Sequence, residues 1–160
     1  MGTMNKSVKP PRRDRLIVLR SARAIGAISL LVAGGVHLQQ YTVDHYSVVP
    51  TIGSLFLVNF IAATVTGVIL LVPVGAGVGR ARLTFDAAVA LIGIGVALGA
   101  FVALLISEHT PLFGFREYNY REVIVIALVS EAVAVVSLAV FVVRATVPGR
   151  LAAPPGPQPA

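Results

Sequence analysis

Residues 52–72 and 87–107 contain no charged side chain. A helix on a soluble core needs a polar outer face, and neither stretch can supply one. Both are solvated only if the surroundings are apolar, which places them in a lipid bilayer. Two further apolar runs, at about 22–38 and 122–143, flank them. At ~1.5 Å per residue, about 20 helical residues cross the ~30 Å hydrocarbon core. Transmembrane β-strands would be about half as long and would alternate in polarity. No alternation is present, so helices must satisfy the backbone polar groups in lipid. The expected fold class is therefore all-α, an integral membrane four-helix bundle. Composition agrees: 56% of residues are hydrophobic and 12% charged, against about half and a quarter in soluble domains.

The polar remainder sets the boundaries. Residues 1–15 form a basic N-terminal segment expected to be disordered, 16–147 the transmembrane domain, and 148–160 a Pro/Ala-rich tail expected to be disordered. The basic lead is long for a signal peptide and three more spans follow, so the first run reads as a retained span. Seven basic residues precede or enter that run: Lys6, Lys9, Arg12, Arg13, Arg15, Arg20 and Arg23. Arg80, Arg82, Arg144 and Arg150 fall on the same side of a four-span chain, and only Arg116 and Arg121 on the other. By the positive-inside rule, both termini are expected in the cytoplasm, an Nin/Cin topology. The net charge of +6 is thus a topology signal and a contact for anionic lipid headgroups. It does not form the basic folded domain that nucleic-acid binding requires.

The absence of cysteine excludes disulfides and thiolate metal sites. Preference for Arg over Lys, with heavy Ala, Val and Gly usage, points to a high-GC bacterial genome. The expected location is the bacterial cytoplasmic membrane. Small residues are expected where helices touch. Gly26, Ser29 and Ala33 offer such a stripe in the first span, Ala63 and Gly67 in the second, and Gly95 and Gly99, with Gly93 nearby, in the third.

Two sets of polar residues are candidates for a site. His37, Asp44, His45, Glu108 and His109 fall at or beyond the outer boundary, with Tyr41, Tyr46, Tyr118 and Tyr120. Tyrosines suit an interface and acids are tolerated outside. If the first helix continues outward, His37, Tyr41 and Asp44 or His45 share one face. Imidazole with carboxylate suits zinc, copper or iron, although no compact ligand motif such as HExxH is present. The second set lies deep in the spans. Glu131 sits nine residues past Glu122, ~13 Å below the boundary. An acid at that depth must be protonated, paired, or turned toward water inside the bundle. Counting depth places Asn59, Ser29 and Gly99 at a similar level, with Asn59 the expected hydrogen-bond partner of Glu131.

The stretch Gly34-Gly35-Val36-His37-Leu38-Gln39-Gln40-Tyr41, then Tyr46, then Val49-Pro50-Thr51-Ile52-Gly53-Ser54-Leu55-Phe56-Leu57, resembles small uncharacterised four-helix membrane proteins of high-GC Gram-positive bacteria. The segment Leu112-Phe113-Gly114-Phe115-Arg116-Glu117 and an acid like Glu131 extend the resemblance over most of 24–143. In size and helix count alone, the chain is also similar to DoxX-type proteins. The resemblance implies the fold and carries no activity.

Three function classes stay open. One is a structural or accessory membrane protein that meets a homo-oligomer or membrane-protein partner through helices or loops. Another is a subunit of a proton-linked transporter or channel using Glu131 and Asn59. The third is a metal-binding or redox component using the outer His/Glu/Tyr set. No nucleophile–base pair, phosphate loop or cofactor motif marks an enzyme, and no cofactor is implied. The topology is testable. A reporter active only in the cytoplasm should be active when fused after Val143 or between Gly77 and Arg80, and silent between Thr42 and Ser47. Activity at the latter site would reverse the orientation.

Overall fold

The computed structural model describes residues 11–72, 80–114, 116 and 121–147. Four α-helices make up nearly all of it: α1 (Pro11–Thr42), α2 (Ile52–Leu71), α3 (Arg80–His109) and α4 (Glu122–Thr146). A single 3-10 turn, Tyr46–Val48, lies between α1 and α2. All four helices are long and apolar enough to cross a membrane. The chain is a multi-pass membrane protein.

Both ends of α1 and of α3 lie beyond the apolar runs. Pro11 begins α1 inside the segment 1–15 expected to be disordered, while residues 1–10 and the tail 148–160 lie outside the described residues. Proline suits the first turn, where its missing N–H costs nothing, and Asp14 adds an acid in that turn. α1 also continues past residue 38 through Gln39, Gln40 and Tyr41. These side chains are polar but compatible with a helix, so a hydropathy boundary falls short of the structural one. At 32 and 30 residues, α1 and α3 measure ~45 Å or more, which exceeds the hydrocarbon thickness.

The helices form a ring in which α1 packs on α2 and α4, and α3 on α4 and α2. Close approach depends on small residues. A Cβ on Gly26 would lie 2.5 Å from Leu138, and one on Gly67 would lie 3.0 Å from the backbone of Ala27. In α3 the contact glycine is Gly93, whose added Cβ would meet Leu30, Leu138 and Thr66. The expected pair, Gly95 and Gly99, instead faces open space. Sequence spacing alone cannot tell which of three glycines on one helix points inward. Outside this core the surface is apolar: Ile28, Val58, Ile61, Ile92 and Val136 all stand at least half exposed. A soluble bundle would hide them.

Two polar ties close the end of the bundle that holds the start of α1 and the end of α4. Arg15 donates to the carbonyls of Arg144 and Val147 at 2.7 and 2.6 Å, satisfying acceptors that the end of α4 leaves open. Asp86, 2% exposed, accepts from Arg23 Nη1 at 2.8 Å across the bundle. Arg82 Nε lies 2.8 Å from the other carboxylate oxygen, an ion pair whose N–H is not aimed along the contact. Arg82 also donates to the carbonyl of Val72, beyond the end of α2. Asp86 thereby links α1 to α3 and, through Arg82, to the end of α2. Asp86→Ala leaves two arginines without their counter-charge. Unfolding titrations should show a loss of about 3 kcal/mol, the usual cost of breaking a buried pair from one side. Stability equal to the parent would show that the pair holds nothing.

Candidate functional site

Glu131 lies on α4 and His37 on α1, and the close packing of those helices brings them together. His37 Nε2 and Glu131 Oε1 are 3.0 Å apart. The side chains are 12% and 1% exposed, respectively. Ala127 and Ala134, one turn to either side of Glu131, are buried and small, and this leaves room for the carboxyl between helices. One proton occupies the line between the two atoms. It belongs either to an imidazole N–H donating to the carboxylate or to a carboxylic acid donating to the ring. In either form His37 Nδ1 and Glu131 Oε2 are buried with no hydrogen-bond partner. Two unmet polar atoms in one buried pair are unusual, because such groups are normally satisfied.

Both residues line a cavity of about 300 Å³ reached by all four helices. Its wall is mainly Val, Leu, Ile, Phe, Ala and Gly, with Asn59 on α2, Gln40 on α1 and Ser107 on α3 as further polar residues. Ser107 is already satisfied by the Leu104 carbonyl. Among the described residues, neither Lys nor Arg lines the wall. Small apolar clefts with a few convergent polar groups are the usual form of a ligand site.

Toward the end bearing the termini, the cavity stops. Leu30, Thr66, Gly93 and Leu138 lie six or seven residues beyond His37, Asn59, Gly99 and Glu131, ~10 Å along the helices. Leu30 and Leu138 are fully buried, and a Cβ on Gly93 would collide with both. Toward the connecting loops, an arginine holds the rim. Arg121 donates to Gln40 Oε1 at 3.1 Å and to the Tyr46 hydroxyl at 3.3 Å, and pairs with Asp44 at 3.2 Å. The Phe56 ring stacks on Tyr46 at 5.2 Å and lies tilted against the His37 ring at 5.3 Å. Arg121, Tyr46, Phe56 and His37 therefore form a continuous contact from the rim to the buried pair.

The expected partners are redistributed. Glu131 and Asn59 share the cavity, but the hydrogen-bond partner of Glu131 is His37. Ser29 is buried on α1 outside the cavity, eight residues from His37. Residue counting from the end of each apolar run sets it level with Glu131, but adjacent helices are offset along their axes. The outer His/acid set does not converge. His37 turns to Glu131, Asp44 to Arg121, and His109 Nδ1 donates to the Leu105 carbonyl of its own helix. His45 is exposed and starts the 3-10 turn with φ 60°. The backbone carbonyl of Glu108 accepts from Arg116. Among the described residues, no three His, Asp or Glu side chains are grouped closely enough to hold a metal ion. Glu117, Tyr118 and Tyr120 lie outside the described residues.

The chain has no match among protein-family models, curated proteins or solved structures.

The His37–Glu131 contact yields a graded expectation. Glu131→Gln keeps the shape and can still pair with the imidazole, so its stability should equal that of the parent. Glu131→Leu removes the bond and strands His37 Nε2. It should cost about 0.6 kcal/mol, rising toward 1.7, the range of interhelical hydrogen bonds in bilayers. Unfolding in mixed micelles measures both. A Gln variant as unstable as the Leu variant would mean that the carboxyl has no neutral substitute.

Proposed function

We propose that this protein binds a small lipophilic molecule in the cavity between its four helices, with the His37–Glu131 pair as the polar contact. The observation that carries this reading is the pair itself. It is buried, two of its polar atoms are unmet, and both residues line a mainly apolar chamber. A partner role through helix surfaces alone would need neither the chamber nor the acid. Conduction through a single chain is disfavoured, because the buried layer of Leu30, Gly93 and Leu138 closes the floor. The midplane acid and Asn59, which would serve a proton-linked path, here serve a site closed at its floor.

In this reading the protein sits in the bacterial cytoplasmic membrane with both termini in the cytoplasm, as the arginine distribution favours. The rim held by Arg121, Asp44 and Tyr46 then faces outward, and the Asp86 cluster lies near the cytoplasmic headgroups.

The test is native mass spectrometry of protein released from bacterial membranes into mild detergent. The parent should carry a bound molecule of defined mass. Glu131→Leu and His37→Leu, each still folded by thermal melting, should lose it. A parent with no bound molecule, or equal occupancy in all three proteins, would overturn the proposal.

A further inference from the structure

The cavity is not closed on the side where α2 faces α3. These helices touch at Thr66 and Gly93, where a Cβ added to the glycine would lie 3.2 Å from the threonine methyl. Two turns toward the loops they stand apart. A Cβ added to Gly99 would meet nothing within 4 Å. Across from it on α2 are Leu55, Val58 and Asn59, which line the same cavity. Leu55 and Val58 are also 45% and 61% exposed, so one continuous surface runs from the buried pair to the lipid-facing exterior. The gap is floored by Gly99, Ala100 and Ala103, which contribute little bulk.

The chemistry along this surface changes in one direction. At the inner end stands the His37–Glu131 pair, whose Nδ1 and Oε2 are covered by protein atoms and unpartnered. Asn59 lies on the α2 side of the chamber, and apolar side chains follow outward. This arrangement fits a molecule with one hydrogen-bonding head and one apolar tail. The head must be uncharged. Among the described residues, no Lys or Arg lines the chamber to neutralise an anion, and a carboxylate would set a second acid against Glu131. A volume of about 300 Å³ lies at the lower end of ligand clefts and leaves no room for a charged headgroup with two acyl chains.

We propose that the ligand is a neutral single-tailed lipid with a hydroxyl or carbonyl head, which enters from the bilayer through the gap between α2 and α3. The head bonds to the His37–Glu131 pair, and the tail lies over Gly99 and leads back into the lipid. This proposal rests on the binding reading above and adds the ligand's class and its route.

The test uses the full chain in phosphatidylcholine vesicles with photoactivatable long-chain probes. Three probes carry the same diazirine-bearing tail and end in an alcohol, a carboxylate or a phosphocholine. Only labelling that excess unlabelled alcohol competes away is counted. The alcohol probe should label α2 and α3 at cavity-lining positions, and more strongly than the other two. Gly99→Leu adds bulk in the gap, starting from a Cβ that meets nothing within 4 Å, and competable labelling should fall about tenfold. Gly95→Leu adds the same side chain in open space one turn away, outside the chamber, and should label like the parent. Equal labelling in the parent and Gly99→Leu, or preference for a charged head, overturns this proposal. If the parent still carries a native molecule that Glu131→Leu loses, that failure concerns class and route alone. If it carries none, the binding reading fails as well.

Discussion

A chain that crosses hydrocarbon has no water to complete its polar groups, and this constraint governs every level of the structure. The backbone meets it by closing four helices on themselves. Side chains meet it by being apolar on the outside, where Ile28, Val58 and Ile92 face lipid. The few polar side chains must then find partners within the bundle. Asp86 finds Arg23 and Arg82, and Glu131 finds His37. Arg23–Asp86 and His37–Glu131 each join helices that are distant in sequence, so the groups costliest to bury also tie the bundle together.

The two polar centres are satisfied to different degrees. Asp86 has a guanidinium near each oxygen and sits at the end of the bundle where arginines are plentiful. Glu131 has a single imidazole, and its second oxygen is buried without a partner. The first arrangement resembles a staple. The second leaves hydrogen-bonding capacity unused.

Packing explains why a chamber exists here. Lipid gives helices no hydrophobic reason to associate, so contact depends on fit and on small residues. Gly26, Gly67 and Gly93 permit contact in the half of the bundle near the termini. In the other half, Gly99 faces no neighbour and α2 stands away from α3. The arginine at the rim holds the loop end of α1, the 3-10 turn and the start of α4 together. The bundle is thereby fastened at both ends and open on one side between them.

The sequence by itself determined the class of structure. Charge-free runs of about 20 residues admit only transmembrane helices, whatever their neighbours do. It also showed that Glu131 and Asn59 are unusual, because a polar residue amid such a run is conspicuous without any structure. It could not show which groups meet. His37 read as a boundary residue because hydropathy ended α1 at residue 38, yet the helix runs on to Thr42 and turns the imidazole onto α4. Ser29 read as level with Glu131 because depth was counted within single helices, while their offset along the bundle is a property of packing. Likewise Gly93, Gly95 and Gly99 are alike in sequence, but only the rotation of α3 decides that the first touches α1, α2 and α4 and the last borders a cavity. Length and polarity are local quantities that a chain carries with it. Axial offset and rotation are relations between helices, and they arise only when side chains interlock.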